Sequence, residues 1–149
     1  MDARSSYRES AARGASPVQL VILLYERAIE DLRQAVIALE KDDIEGRTRG
    51  INHALVVIGQ LQSSLDMERG GDVARNLERF YTLMRASLIE AQLKQSARIL
   101  ERQITQLVLL REAWLEVERA TAAPNPIPAE STVQPETPKP ETSLANWSA

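Results

Sequence analysis

The sequence predicts an all-α protein, an antiparallel up-down four-helix bundle, and three observations predict it. Apolar residues recur at three- and four-residue steps through four successive stretches, the period of one helix face. Of the seven prolines only Pro17 precedes Pro124, so the segment from about Val18 to Ala120 lacks the residue that most often breaks a helix. The apolar content is aliphatic: 44% of the chain is hydrophobic and 4% aromatic, with Leu, Ile, Val and Ala supplying most of the difference.

The first helix opens at Ser16-Pro17-Val18-Gln19, a capping serine, a proline at the first helical position and a glutamine spaced to reach back. Its stripe is Val21, Leu24, Tyr25, Ala28, Leu32, Ala35, Val36 and Leu39, which carries the helix to about Glu40. Asp42-Asp43-Ile44-Glu45 repeats the start signal, and Ile44, Ile51, Ala54, Leu55, Ile58, Leu61 and Leu65 place the second helix's end near Met67. Gly70-Gly71 punctuates the chain, Asp72 is expected to cap, and Val73, Leu77, Phe80, Met84, Leu88 and Ala91 form a third stripe. Ser96 is expected to cap a fourth helix carrying Leu100, Ile104, Leu107, Leu110, Trp114 and Val117. Connections this short reverse the chain at each turn, which makes the bundle up-down-up-down.

The predicted organisation is a mobile N-terminal segment over residues 1–15, the bundle over 16–122, and a disordered tail over 123–149. The tail carries Pro124, Pro126, Pro128, Pro135, Pro138 and Pro140 among Ala, Glu, Ser and Thr, too little apolar surface to offset the entropy of ordering it. The first residues, with Arg4, Arg8 and Arg13, have no apolar core of the kind a secretory signal needs, and no stretch is long and apolar enough to span a bilayer. A cytoplasmic location is expected. The net charge of -3 and the scattered Lys and Arg argue against nucleic acid as partner.

Candidate chemistry is thin. The chain has no cysteine and His53 is its one histidine, so catalytic triads, His-based metal clusters and the carboxylate–histidine pairs of di-iron bundles have no residues to form them. A lone histidine on a bundle helix is the arrangement of a histidine phosphotransfer domain, the alternative reading. Against it, His53-Ala54-Leu55-Val56-Val57 offers only apolar neighbours where a lysine would balance phosphate charge. Gly70-Gly71 lacks the preceding strand and the lysine of a phosphate loop. Asp66, Glu68 and Asp72 around that turn read as caps compensated by Arg69 and Arg75. No enzyme activity, cofactor or metal is expected.

The informative feature is apolar surface beyond what four stripes need. At about 100° per residue, Leu20 and Leu23 point more than a quarter turn from the centre of the first stripe, as does Val56 from the second. Leu83, Ile89, Val108, Leu109 and Leu115 widen the third and fourth. Scattered surface apolars are ordinary, but this number of them fits grooves into which a partner's amphipathic helix lays its own apolar face.

Several segments together resemble the FliS family of flagellar secretion chaperones, over about Tyr7 to Trp114. Tyr7, then Ala15-Ser16-Pro17-Val18-Gln19-Leu20 leading into Leu23-Leu24-Tyr25-Glu26-Arg27-Ala28-Ile29, are similar to the family's first helix start. The run from Leu65 through Gly70-Gly71 to Leu77 is similar to its second turn, and Tyr81, Leu88-Ile89-Glu90-Ala91 and Leu110-Arg111-Glu112-Ala113-Trp114 fit its later helices. Gln92 stands where the family commonly has Asn, and Gln95-Ser96 where an Asn-Asp turn is usual. The tail beyond Ala122 has no counterpart in the pattern. The resemblance implies an antiparallel bundle that binds the disordered C-terminal region of flagellin, prevents its premature polymerisation and delivers it to the export gate of the flagellar secretion system. It also implies that Tyr7 covers the empty groove and moves aside for flagellin. With Tyr7, the candidate partner-binding residues are Leu20, Leu23, Val56 and Leu83.

Overall fold

The computed structural model describes residues 16–122, so Tyr7, the segment 1–15 and the Pro-rich tail lie outside the described residues. Within them the elements are α1 (Pro17–Glu40), α2 (Ile44–Ser63), α3 (Gly71–Lys94) and α4 (Ala97–Ala122).

The start of α1 forms as its residues dictate. The Ser16 hydroxyl accepts the Gln19 amide at 3.1 Å while the Ser16 amide donates to Gln19 Oε1 at 3.0 Å, satisfying two donors that a helix end otherwise leaves open. Asp43 caps α2, its carboxylate accepting the Gly46 amide at 2.9 Å. At the other end α2 stops at Ser63, short of the expected Met67. The Ser63 and Ser64 hydroxyls donate back to the carbonyls of Gln60 and Leu61 at 3.2 and 2.8 Å, and Asp66 then accepts the amides of Glu68 and Arg69. These side-chain oxygens bond backbone groups around the helix end, alongside the bond that the Ser64 amide still donates to the Gln60 carbonyl.

Asp72 does not cap α3. The chain takes a left-handed turn at Gly71, φ 56°, a conformation glycine adopts without a Cβ clash, and α3 begins there. Asp72 therefore sits inside the first turn and pairs with Arg75. Between α3 and α4, Gln95 adopts a left-handed C-cap with φ 52°, and the Ser96 hydroxyl accepts the Ile99 amide at 3.1 Å, the cap expected of it.

Cross-helix pairs fix the directions. Arg27 meets His53 while Asp31 and Ala35 meet Gly50, so α1 and α2 are antiparallel. Gln62 bonds Thr82 and Arg47 bonds Gln92, which orients α3 against α2; Gln19 bonds Glu118, which orients α4 against α1. Each helix packs mainly on two neighbours, in the ring α1–α2–α3–α4–α1. The buried arcs are consequently wider than single stripes: Ile22 and Ile29 on α1, Val57 on α2 and Tyr81 on α3 join the core without having been assigned to it. Ile44, assigned to the second stripe, is 64% exposed.

Candidate functional site: an apolar cavity at one end of the bundle

At the end of the bundle that holds the starts of α1 and α3 and the end of α2, the helices enclose a cavity of about 300 Å³. Pro17, Leu20, Val21 and Leu24 of α1 form one wall, Leu61 and Leu65 the second, Val73, Leu77 and Tyr81 of α3 the third, and Trp114 of α4 closes the inner end. Ser64 and Asp66 supply the polar groups of its lining besides Tyr81 and Trp114. α2 ends at Ser63, and Leu65 reaches the lining from the connection rather than from a further helical turn.

Its floor is held by a buried polar network. Trp114 Nε1–H donates to the Tyr25 hydroxyl at 3.1 Å, and that hydroxyl is hydrogen-bonded to the hydroxyl of Tyr81. Three helices therefore meet through one oxygen, and the Tyr25–Tyr81 contact spans the α1–α3 diagonal. Burial pushes the Tyr25 hydroxyl up to about 12 from its ordinary 10.0, and pushes Tyr81 further up, with the neighbouring Tyr25 adding to the effect.

The candidate residues separate. Leu20 is half-buried in the cavity wall. Leu23, one turn further along α1, is half-buried but outside the lining. Val56 and Leu83 are 61% and 60% exposed on α2 and α3, on the bundle's outer surface with Ile89, Leu93 and Leu109. Val108 and Leu115 pack against the core instead. Sequence reasoning missed the cavity as a site because Val21, Leu24, Leu65, Val73 and Leu77 have core spacing. The available signal was their clustering at the helix ends that the up-down topology brings together.

His53 has a half-exposed side chain whose Nδ1 lies 3.5 Å from the Asp31 carboxylate, with Arg27 Nε 3.4 Å from the same group. A carboxylate this close opposes the arrival of a phosphoryl group at the ring. Among the described residues no cluster of three or more His, Cys, Asp or Glu could hold a metal ion, and no described helix is long and apolar enough to cross a membrane.

Fold and site define a class: an all-α bundle whose candidate site is an apolar groove of side-chain dimensions. The profile of one family, described as Flagellar protein FliS, matches residues 1–121. The chain belongs to the FliS family of flagellar secretion chaperones. It is 34% identical over 110 residues to the flagellar secretion chaperone FliS of Salmonella typhimurium, covering 73% of this chain and 82% of that one. It is 35% identical over 106 residues to the flagellar secretion chaperone FliSB of Pseudomonas aeruginosa, covering 71% and 84%. With the FliS of Bacillus subtilis the identity is 24% over 110 residues, covering 74% and 81%.

Proposed function

We propose that this protein is a cytoplasmic chaperone that binds the disordered C-terminal region of flagellin, masks it against premature polymerisation, and passes it to the export gate of the flagellar type III secretion apparatus. The apolar cavity at the bundle end carries the reading, because it is a preformed receptacle for a large apolar side chain in a family of secretion chaperones. A flagellin segment that orders on binding loses conformational entropy, on the order of 2–5 kcal/mol, and burial against Leu, Val and aromatic walls offsets it. Leu20 contributes from the cavity and Leu23 from beside it. Val56 and Leu83 extend the contact over the outer faces of α2 and α3, and Tyr7 covers the groove when flagellin is absent.

Titration calorimetry of the full chain with flagellin, or with a peptide of its C-terminal region, tests this. Replacing Leu20 by Glu removes burial worth roughly 1.5–3 kcal/mol and adds a desolvation penalty, so affinity should fall by about tenfold or more. Absence of any complex between the unmodified chain and flagellin would overturn the proposal.

A further inference from the structure

The cavity lies close to where the described chain stops. α4 continues about 12 Å past Trp114, at ~1.5 Å per residue, before ending at Ala122. On the way Glu118 accepts a hydrogen bond of 2.7 Å from Gln19 at the start of α1, so α4 ends on the cavity side of the bundle. The family match stops at residue 121, which makes the rest an addition to the family pattern. That addition is Pro-rich as far as Pro140 and acidic as far as Glu141, with Glu130, Glu136 and Glu141 against Lys139, and beyond its last proline it carries Leu144 and Trp147 three residues apart.

We propose that Leu144 and Trp147 dock into this cavity in cis, as an internal competitor of the partner. Reach is sufficient: the stretch from Ala122 to Trp147 spans roughly 25–30 Å as a flexible coil and about 78 Å if fully extended as polyproline II. Tethering holds the motif at an effective concentration in the millimolar range, so weak contacts suffice to keep the cavity occupied. Size and chemistry match as well. A tryptophan buries roughly 150–250 Å² of largely apolar surface and needs one acceptor for its N–H, and Ser64 and Asp66 stand among the lining residues. A cavity of about 300 Å³ accommodates an indole ring, and Trp147 seated there competes with a partner's side chain for the same walls.

The inference rests on the proposed function only for its competitive consequence, and the test separates the two. The full chain is labelled with 5-fluorotryptophan at both tryptophans, and Trp147→Phe assigns the two fluorine resonances. Docking predicts that the Trp147 resonance is shielded from solvent, unlike that of a peptide spanning residues 143–149, and that it becomes exposed in Leu20→Glu or Val73→Glu chains that melt normally. A Trp147 resonance indistinguishable from the peptide's overturns the proposal without involving flagellin. So does shielding that survives both cavity substitutions, shielding lost on dilution, which assigns the motif to a second copy, or shielding that appears only when residues 1–15 are deleted. For the competitive consequence, a cavity occupied for more than about half the time weakens apparent affinity by about twofold or more, so Leu144→Ser with Trp147→Ser should tighten flagellin binding by at least that factor. Unchanged affinity in that double variant overturns the competition.

Discussion

One oxygen, on Tyr25, accepts from Trp114 and pairs with Tyr81 beneath the cavity. Tyr25→Phe leaves a buried indole N–H without its acceptor and a buried phenol without its partner, and should destabilise the fold by roughly 1–3 kcal/mol, read by chemical denaturation. The same network sets an alkaline limit. Because the folded-state pKa of Tyr25 is raised from 10.0 to about 12, the native state holds its proton more tightly than the unfolded chain. That contribution is complete below pH 10, and stability should fall as pH rises from 10.0 through about 12, more steeply than in Tyr25→Phe. At His53 the expectation is the opposite of a catalytic one: His53→Gln should leave flagellin affinity within about twofold, since the ring faces Asp31 and Arg27 at the α1–α2 seam and not the cavity. Loss of function in that variant with flagellin binding intact would instead favour the phosphotransfer alternative.

Helix ends and one close contact set the energetics of the elements. Ser16→Ala breaks both bonds of the capping box on α1 and should cost roughly 0.5–2 kcal/mol, measured as a shift in melting temperature. Gly50 lets α2 approach α1: a Cβ there would stand 2.8 Å from the Asp31 carbonyl oxygen and 3.0 Å from the Ala35 Cβ. Alanine gains about 1 kcal/mol of helix propensity but meets fixed backbone, at an overpacking cost of about 1–3 kcal/mol, so Gly50→Ala should be net destabilising. Gln95→Asn should be mildly stabilising, since asparagine tolerates the left-handed φ of 52° better than glutamine. The elements differed in how far the sequence revealed them. Ser16-Pro17 and Ser96 signalled their ends through their own side chains. The end of α2 did not, because Leu65 keeps the helical spacing while serving the cavity from the connection.

For the whole molecule, stability and binding should separate by position. Leu107 is fully buried and lines no part of the cavity, and Leu107→Ala should lower stability by roughly 2–5 kcal/mol. Val56→Glu with Leu83→Glu changes two solvent-facing positions, so melting should be nearly unaltered while flagellin affinity falls. A pair that melts normally and binds normally would confine the interface to the cavity end around Leu20.

The sequence by itself determined the four helices, their antiparallel order, the cap of α1 and the family, because periodicity, caps and short connections act within a few residues of one another. The direction of Leu20, off the stripe of its own helix, was legible there as well. Only the tertiary structure decided that Val21, Leu24, Leu65, Val73 and Leu77 wall a cavity, since the same spacing serves a filled core and an open one. It decided too that one oxygen on Tyr25 joins Trp114 and Tyr81. Whether apolar faces meet or leave a gap depends on where α2 stops and how its neighbours converge, and that geometry is written in no single helix.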